Sequence, residues 1–258
     1  MVAVGAGTKK LSANQGNGRL ILAVLKLALF NLALLAAATL VAQTPPAIPP
    51  PPPAPQPSLA PPPPRFVVVL DAAHGGGDSG ARLNGQTEKA FTLALSVRLR
   101  SLLGARGIQV ITTRESDSNL DANRRAAIAN HANAQACLSL HATESGSGVH
   151  LFASSLPPAN PTRMPAWKTA QAAWVTRSLA LAGVLNSALL HAGFTVTLGR
   201  TALPEVDSMT CPAIAIEVAP DRAAGGAVTD LDDAGYQARV AEALAAALLQ
   251  WKTEVRQP

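Results

Sequence analysis

The stretch Phe66-Val67-Val68-Val69-Leu70-Asp71-Ala72-Ala73-His74-Gly75-Gly76-Gly77 decides how the chain is read. Its first five residues are a short, mostly β-branched apolar run, the pattern of a buried strand, and its glycines end that strand and permit a sharp turn. His74 is thereby held at a strand's carboxyl end. Two further runs finish the same way: Ala136 to Leu140 delivers His141, and Ala213 to Ile216 delivers Glu217. In an open sheet of parallel strands the carboxyl ends line one edge, where such folds place ligands and chemistry. Glu88 comes to this edge from a helix. Glu88 to Leu103 carries Phe91, Leu95, Leu99, Leu102 and Leu103 at amphipathic spacing, with Glu88 in the first turn.

Working outward, the remaining strand candidates are Ile108 to Thr113, Gly148 to Phe152 and Phe194 to Thr197. The remaining helix candidates are Asn123 to Ala132, a long run from about Trp167 to His191, and Leu231 to Trp251, whose Tyr236, Val240, Leu244, Leu248 and Trp251 form one core-facing stripe. Strands alternating with helices predict a single α/β domain over residues 65 to 258, with a mostly parallel, roughly six-stranded sheet covered by helices. That length suffices for one substantial core.

Two imidazoles and two carboxylates at one edge read as a metal site and its base. Zinc enzymes commonly use three protein ligands, and two His with one Glu is an established set that leaves a fourth position open. His74, Glu88 and His141 are the candidate Zn2+ ligands. A single carboxylate leaves the site net positive, which lowers the pKa of water there and polarises a carbonyl. Glu217 is the candidate catalytic carboxylate, taking a proton from water and passing it to a departing amine. Singly, each residue has a plainer reading: a structural His, a Glu-Lys pair favoured by the helix dipole, an edge Glu that partners an Arg. Their joint order favours the metal site. His131, His150 and His191 fit no ligand spacing and are taken as surface or packing residues. Asp71 is either a hydrogen-bonding orienter of His74 or a turn former, and Arg114 a structural ion-pair former. Gly75 to Gly77 lacks the spacing and the downstream Lys-Ser/Thr of a nucleotide loop.

These residues resemble the zinc-dependent N-acetylmuramoyl-L-alanine amidases that cleave bacterial peptidoglycan. The resemblance spans roughly Phe66 to Trp251. It is carried by Asp71 to Gly76, Glu88-Lys89, Thr113 to Asp117, Leu120 and Arg124, Ala129-Asn130, Ser139-Leu140-His141, Gly148, and Pro212 through Glu217. It implies a phosphorylase/hydrolase-like α/β fold, zinc held by His74, Glu88 and His141, and Glu217 as catalytic carboxylate. The implied reaction is hydrolysis of the amide between the lactyl group of N-acetylmuramic acid and the L-alanine of the stem peptide. The chain departs from the family pattern at Ala72-Ala73, Thr143 and Ala219-Pro220. Only Ala142 to Ser147 separates His141 from the next strand-like run, too little for the inserted helix that blocks zinc in some regulated relatives, while Ser155 to Pro165 could act as a flap. A noncatalytic wall-binding or regulatory domain of the same fold is the alternative. A zinc peptidase or deacetylase would share the metal site.

The amino-terminal quarter says where the domain is expected to work. Residues 1 to 19 are polar and basic, and 20 to 42 are almost wholly apolar but for Lys26 and Asn31, either an export signal or a membrane anchor. Residues 43 to 64 are mostly proline, a polyproline II spacer of roughly 60 Å at about 3.1 Å per residue. Both readings put the domain outside the cytoplasm, periplasmic or facing the cell wall, and leave the membrane as a partner through the amino-terminal segment only. Peptidoglycan is the expected substrate, with a protein activator as an open option. The formal charge is +5, but Lys9, Lys10, Arg19 and Lys26 precede the spacer, and the rest is near balance, so nucleic acid is not indicated. Cys137 and Cys211 form either a disulfide, as exported proteins allow, or two buried thiols.

Overall fold

In the computed structural model, which describes residues 65–159, 166–222 and 226–255, the decisive apolar run becomes β1 (Val67–Ala72), buried at all six positions. A small hairpin, β2 (Arg82–Leu83) and β3 (Gln86–Thr87), leads into α1 (Glu88–Ala105). There follow β4 (Gln109–Thr112), α2 (Ala122–His131), β5 (Ala136–Ala142), β6 (Val149–Ser154) and a 3-10 helix (Trp167–Ala173). The chain continues through α3 (Val175–His191), β7 (Val196–Thr201), α4 (Pro204–Asp207), β8 (Ala213–Val218), β9 (Asp221–Arg222), β10 (Val228–Thr229) and α5 (Ala234–Glu254). The leader, the apolar segment and the Pro-rich spacer of residues 1 to 64 lie outside the described residues, as does the second half of the flap candidate. Among the described residues no single helix is long and apolar enough to cross a membrane.

Six strands form one sheet in the order β4-β1-β5-β8-β6-β7. β4, β1, β5 and β8 are parallel, β6 pairs antiparallel with β8, and β7 runs parallel to β6. The sheet is therefore mostly parallel, as expected, but two strands are reversed. This reversal has a local cause. Six residues, Thr143 to Gly148, join β5 to β6, and a parallel crossover needs a dozen or more.

Each face of the sheet has its own core. On one, Val68, Leu70, Leu138, Leu140, Ile214, Ile216 and Leu151 meet α1, α3 and α5. The α1 stripe Phe91, Leu95, Leu99 and Leu103 is at most 1% exposed, and each side chain so buried contributes about 1.5–3 kcal/mol. On the other face, Val69, Cys137, Ala213 and Ala215 pack with Ala126, Ala129, Val206 and Met209. Here Cys137 and Cys211 are disulfide-bonded, with Cα atoms 6.2 Å apart. The bond ties β5 to the segment entering β8.

Helix ends follow their capping residues. Asp121 accepts from the Arg124 amide and Asp233 from the Tyr236 amide, each at a helix start where N–H groups lack intrahelical partners. The run from Trp167 to His191 is not one helix but a 3-10 segment and α3, bent by 66°. The bend serves buried polar groups. Gln171 donates to the Met209 and Cys211 carbonyls, and Ser178 bonds both Gln171 and the Ala213 amide.

Candidate metal centre and active site

The end of β1 turns abruptly at His74, which adopts φ 63°, a left-handed conformation uncommon for any side chain but glycine. Arg114 holds the turn in place. Its guanidinium, buried, donates to the carbonyls of Ala72, Ala73 and Lys89 at 2.9, 3.1 and 2.7 Å. It is structural, but in place of the expected ion pair it clamps backbone carbonyls, and among the described residues it bonds no carboxylate. Burial, helped by the nearby Arg125 charge, pushes its pKa down from the usual arginine value against the pull of Asp117 and Asp71. At the same edge, the first turn of α1 presents Glu88, and β5 presents His141 near its carboxyl end.

His74, Glu88 and His141 each offer a ligand atom, all within 4.8 Å of one another. His74 Nε2 is 3.1 Å from Glu88 Oε2, and His141 Nδ1 is 2.9 Å from Glu88 Oε1. The Ala81 amide also donates to Glu88, at 2.8 Å. Gly80 closes the site from one side. It has φ +63°, and a Cβ there would lie 2.6 Å from both Glu88 Oε2 and His74 Cδ2. The donor set fits a divalent cation: one carboxylate between two imidazoles, each with one nitrogen facing inward and the other occupied from behind.

The groups behind the imidazoles are Asp78 and Glu205. Asp78 Oδ2 is 2.8 Å from His74 Nδ1, and Glu205 Oε1, largely buried on α4, is 3.4 Å from His141 Nε2. Asp71 is neither the orienter of His74 nor a turn former. Fully buried, it accepts from Thr113, Arg125 and Ser139 at 2.9, 2.8 and 2.8 Å, an ion pair that braces the sheet beneath the site. It misses His74 because β1 points its side chain toward α2, before the left-handed turn redirects the chain. Sequence reasoning did not find Asp78 or Glu205. An Asp four residues after a His just past a strand was a usable signal for the first; Glu205, distant from His141 in sequence, offered none.

Charge is concentrated at the cluster. Burial pushes the Glu88 carboxyl up, but hydrogen bonds from His141, His74 and the Ala81 amide outweigh it and hold Glu88 well below the usual carboxylate range. The Glu88 contact raises His74 against the cost of burial, with Asp78 adding to the rise. Burial opposes protonation of His141, yet Glu205 and Glu88 together raise it to about 9. Glu205 is lowered by His141 in spite of its own burial.

Glu217 stands beside His141 in the register of β5 and β8 and is one third exposed. It lines a cleft of about 270 Å³ with His141, Phe152, Thr201, Leu203 and Ala215. The same register places His150 of β6 on its other side, with Nδ1 3.0 Å from Glu217 Oε2. His131 and His191 are exposed, as read from the sequence. His150, set aside with them, is instead a member of the site. Because β6 runs backwards, its amino end lies at the edge formed by the other strands' carboxyl ends.

The sequence profile of the family described as N-acetylmuramoyl-L-alanine amidase (Amidase_3) matches residues 68–250. The chain belongs to this family. Among curated relatives, the sporulation-specific N-acetylmuramoyl-L-alanine amidase of Bacillus subtilis (strain 168) is 36% identical over 81 residues, covering 31% of this chain and 32% of that protein. The amidase AmiA of Escherichia coli (strain K12) is 38% identical over 94 residues, covering 34% and 32%. The chain thus spans about a third of the length of these relatives. The catalytic domain of CwlV, an N-acetylmuramoyl-L-alanine amidase from Bacillus (Paenibacillus) polymyxa var. colistinus, superimposes with a TM-score of 0.57 at 25% identity, over 73% of this chain and 98% of that one. The sheet and its flanking helices are those of an amidase catalytic domain.

Proposed function

We propose that this chain is a zinc-dependent N-acetylmuramoyl-L-alanine amidase, hydrolysing the amide between the lactyl group of N-acetylmuramic acid and the L-alanine of the stem peptide. The observation that carries this reading is the convergence of His74, Glu88 and His141 within 4.8 Å, beside a cleft that contains Glu217. His74 Nε2, a Glu88 oxygen and His141 Nδ1 would hold Zn2+. When bound, the ion polarises the scissile carbonyl and makes water a better nucleophile near neutral pH. Glu217 takes the proton that the attacking water loses as its oxygen bonds to the carbonyl carbon. It returns that proton to the amide nitrogen as the C–N bond breaks, and the water's second proton passes to the amine or solvent, leaving the lactyl carboxylate and a free L-alanine amine. Asp78 and Glu205 keep each imidazole turned so that its inner nitrogen stays available.

Peptidoglycan is the partner in this reading, and remodelling of the wall or separation of daughter cells the cellular role. Residues 20–42 would carry the domain across, or fasten it to, the inner membrane, and the Pro-rich spacer would let it reach the wall. The test is mass spectrometry of purified peptidoglycan after digestion, with zinc and with chelator. Zinc-dependent release of intact stem peptides that begin with a free L-alanine amine is expected. Wall binding with no bond cut would favour the noncatalytic domain, and a cut at another amide would favour a peptidase or deacetylase.

A further inference from the structure

We propose that His150 is a positioning residue for Glu217, donating from Nδ1 to fix the orientation of its carboxylate. This rests on the reading of Glu217 as the proton carrier. His141, Glu217 and His150 are paired across β5, β8 and β6 and therefore form one row on one face of the sheet. The His150 Nδ1 to Glu217 Oε2 distance is 3.0 Å. In the proposed role the Glu217 carboxylate accepts, and Nδ1 carries the proton of this bond.

The imidazole is itself held. Its side chain is 13% exposed, its ring meets Phe152 edge to face at 6.3 Å, and its far edge abuts the loop between β5 and β6. At Gly146 in that loop, with φ +81°, a Cβ would lie 2.6 Å from His150 Cε1 and 2.7 Å from Nε2. Only a residue without a side chain lets the backbone come so close. A one-third exposed Glu otherwise rotates among several conformers, and freezing it costs entropy at each turnover. A charge-assisted bond from a trapped ring meets that cost during folding. One oxygen is anchored and the other is left to receive the proton from water and hand it to the amine. The proton on His150 stays in place throughout, so the residue touches no reacting atom.

The test uses the full chain, loaded with zinc, on a soluble muramoyl-peptide. His150→Ala is expected to lower kcat on the order of 10–100-fold, the scale of a misplaced catalytic group, with KM and bound zinc unchanged. His150→Asn puts an amide N–H where Nδ1 stands and is expected to recover most of the loss. Selective ¹⁵N labelling of the histidine rings gives a readout that needs no turnover: His150 should carry its proton on Nδ1, and Glu217→Ala should abolish that signature. Unchanged kcat in His150→Ala, equal damage in His150→Asn, loss of zinc in His150→Ala, or a His150 ring indifferent to Glu217→Ala would each overturn the proposal. Glu217→Gln separates the two levels. Full turnover in that variant removes the proton-carrier reading and this inference with it, whereas an inert Glu217→Gln beside a fully active His150→Ala removes this inference alone.

Discussion

At the scale of single residues, the two imidazoles of the cluster are not equivalent. His141 is backed by a largely buried Glu205, whereas His74 is backed by Asp78, whose side chain is 62% exposed. Asp78 is therefore the cleaner place to ask what a rear carboxylate contributes, since its loss leaves the core untouched. Asp78→Ala is expected to weaken zinc binding roughly 10–100-fold, the usual cost of losing such a partner, as read by chelator competition, with little change in folding. Glu217→Ala should behave oppositely, keeping stoichiometric zinc while turnover falls by roughly 10²–10⁴-fold. His74→Ala and His141→Ala should lose the metal. Equal zinc loss from Glu217→Ala would make that residue a ligand. That His74, Glu88 and His141 converge was legible in the sequence because each closes an apolar strand or opens a helix. Their rear partners were not, for opposite reasons. Asp71 precedes His74 by three residues but points away from it, while Asp78 comes back to it only because the chain reverses, with a bridge between Gly75 and Asp78.

At the scale of elements, apolar runs revealed the six strands but carried no information on direction. Convergence at carboxyl ends was a sound argument for β1, β5 and β8, and β6 escaped it by running the other way. The six-residue connection from β5 was the available signal, and it implies that the residues opening the next strand, His150 among them, lie at the active edge. α4 was missed because four residues carry no helical period, yet this turn supplies Glu205. The disulfide bears on that same region, closing a loop of 74 residues between β5 and the approach to β8. On loop entropy, such a closure stabilises by about 4 kcal/mol. Reduction, or Cys137→Ala with Cys211→Ala, is expected to lower Tm on the order of 10 °C in a calorimetric scan. A shift under 2 °C would mean that the residual unfolded chain is already compact across this loop.

At the scale of the whole molecule, the proposed metal site would make the fold's stability depend on protons and metal together. In the metal-free chain, His141 is raised from 6.5 to about 9, so the stabilisation it draws from Glu205 and Glu88 is complete below pH 6.5 and is lost as pH rises through about 9. Glu88 is displaced downward from 4.5, so its contribution is present above that value and is lost only as pH falls through the depressed one. The two windows overlap between pH 4.5 and 6.5, where these groups support the metal-free fold most. Metal requires the imidazoles without their protons, so binding competes with the very ion pairs that hold the empty cluster together. Zinc affinity should therefore climb between pH 6 and 9, with proton release measurable by calorimetry in buffers of different ionisation enthalpy. Over the same range, Tm of the chelated chain should fall while that of the zinc-loaded chain holds, because the cation replaces the protons as the positive charge facing Glu88. Parallel declines of the two forms would place the alkaline loss of stability elsewhere than at His141.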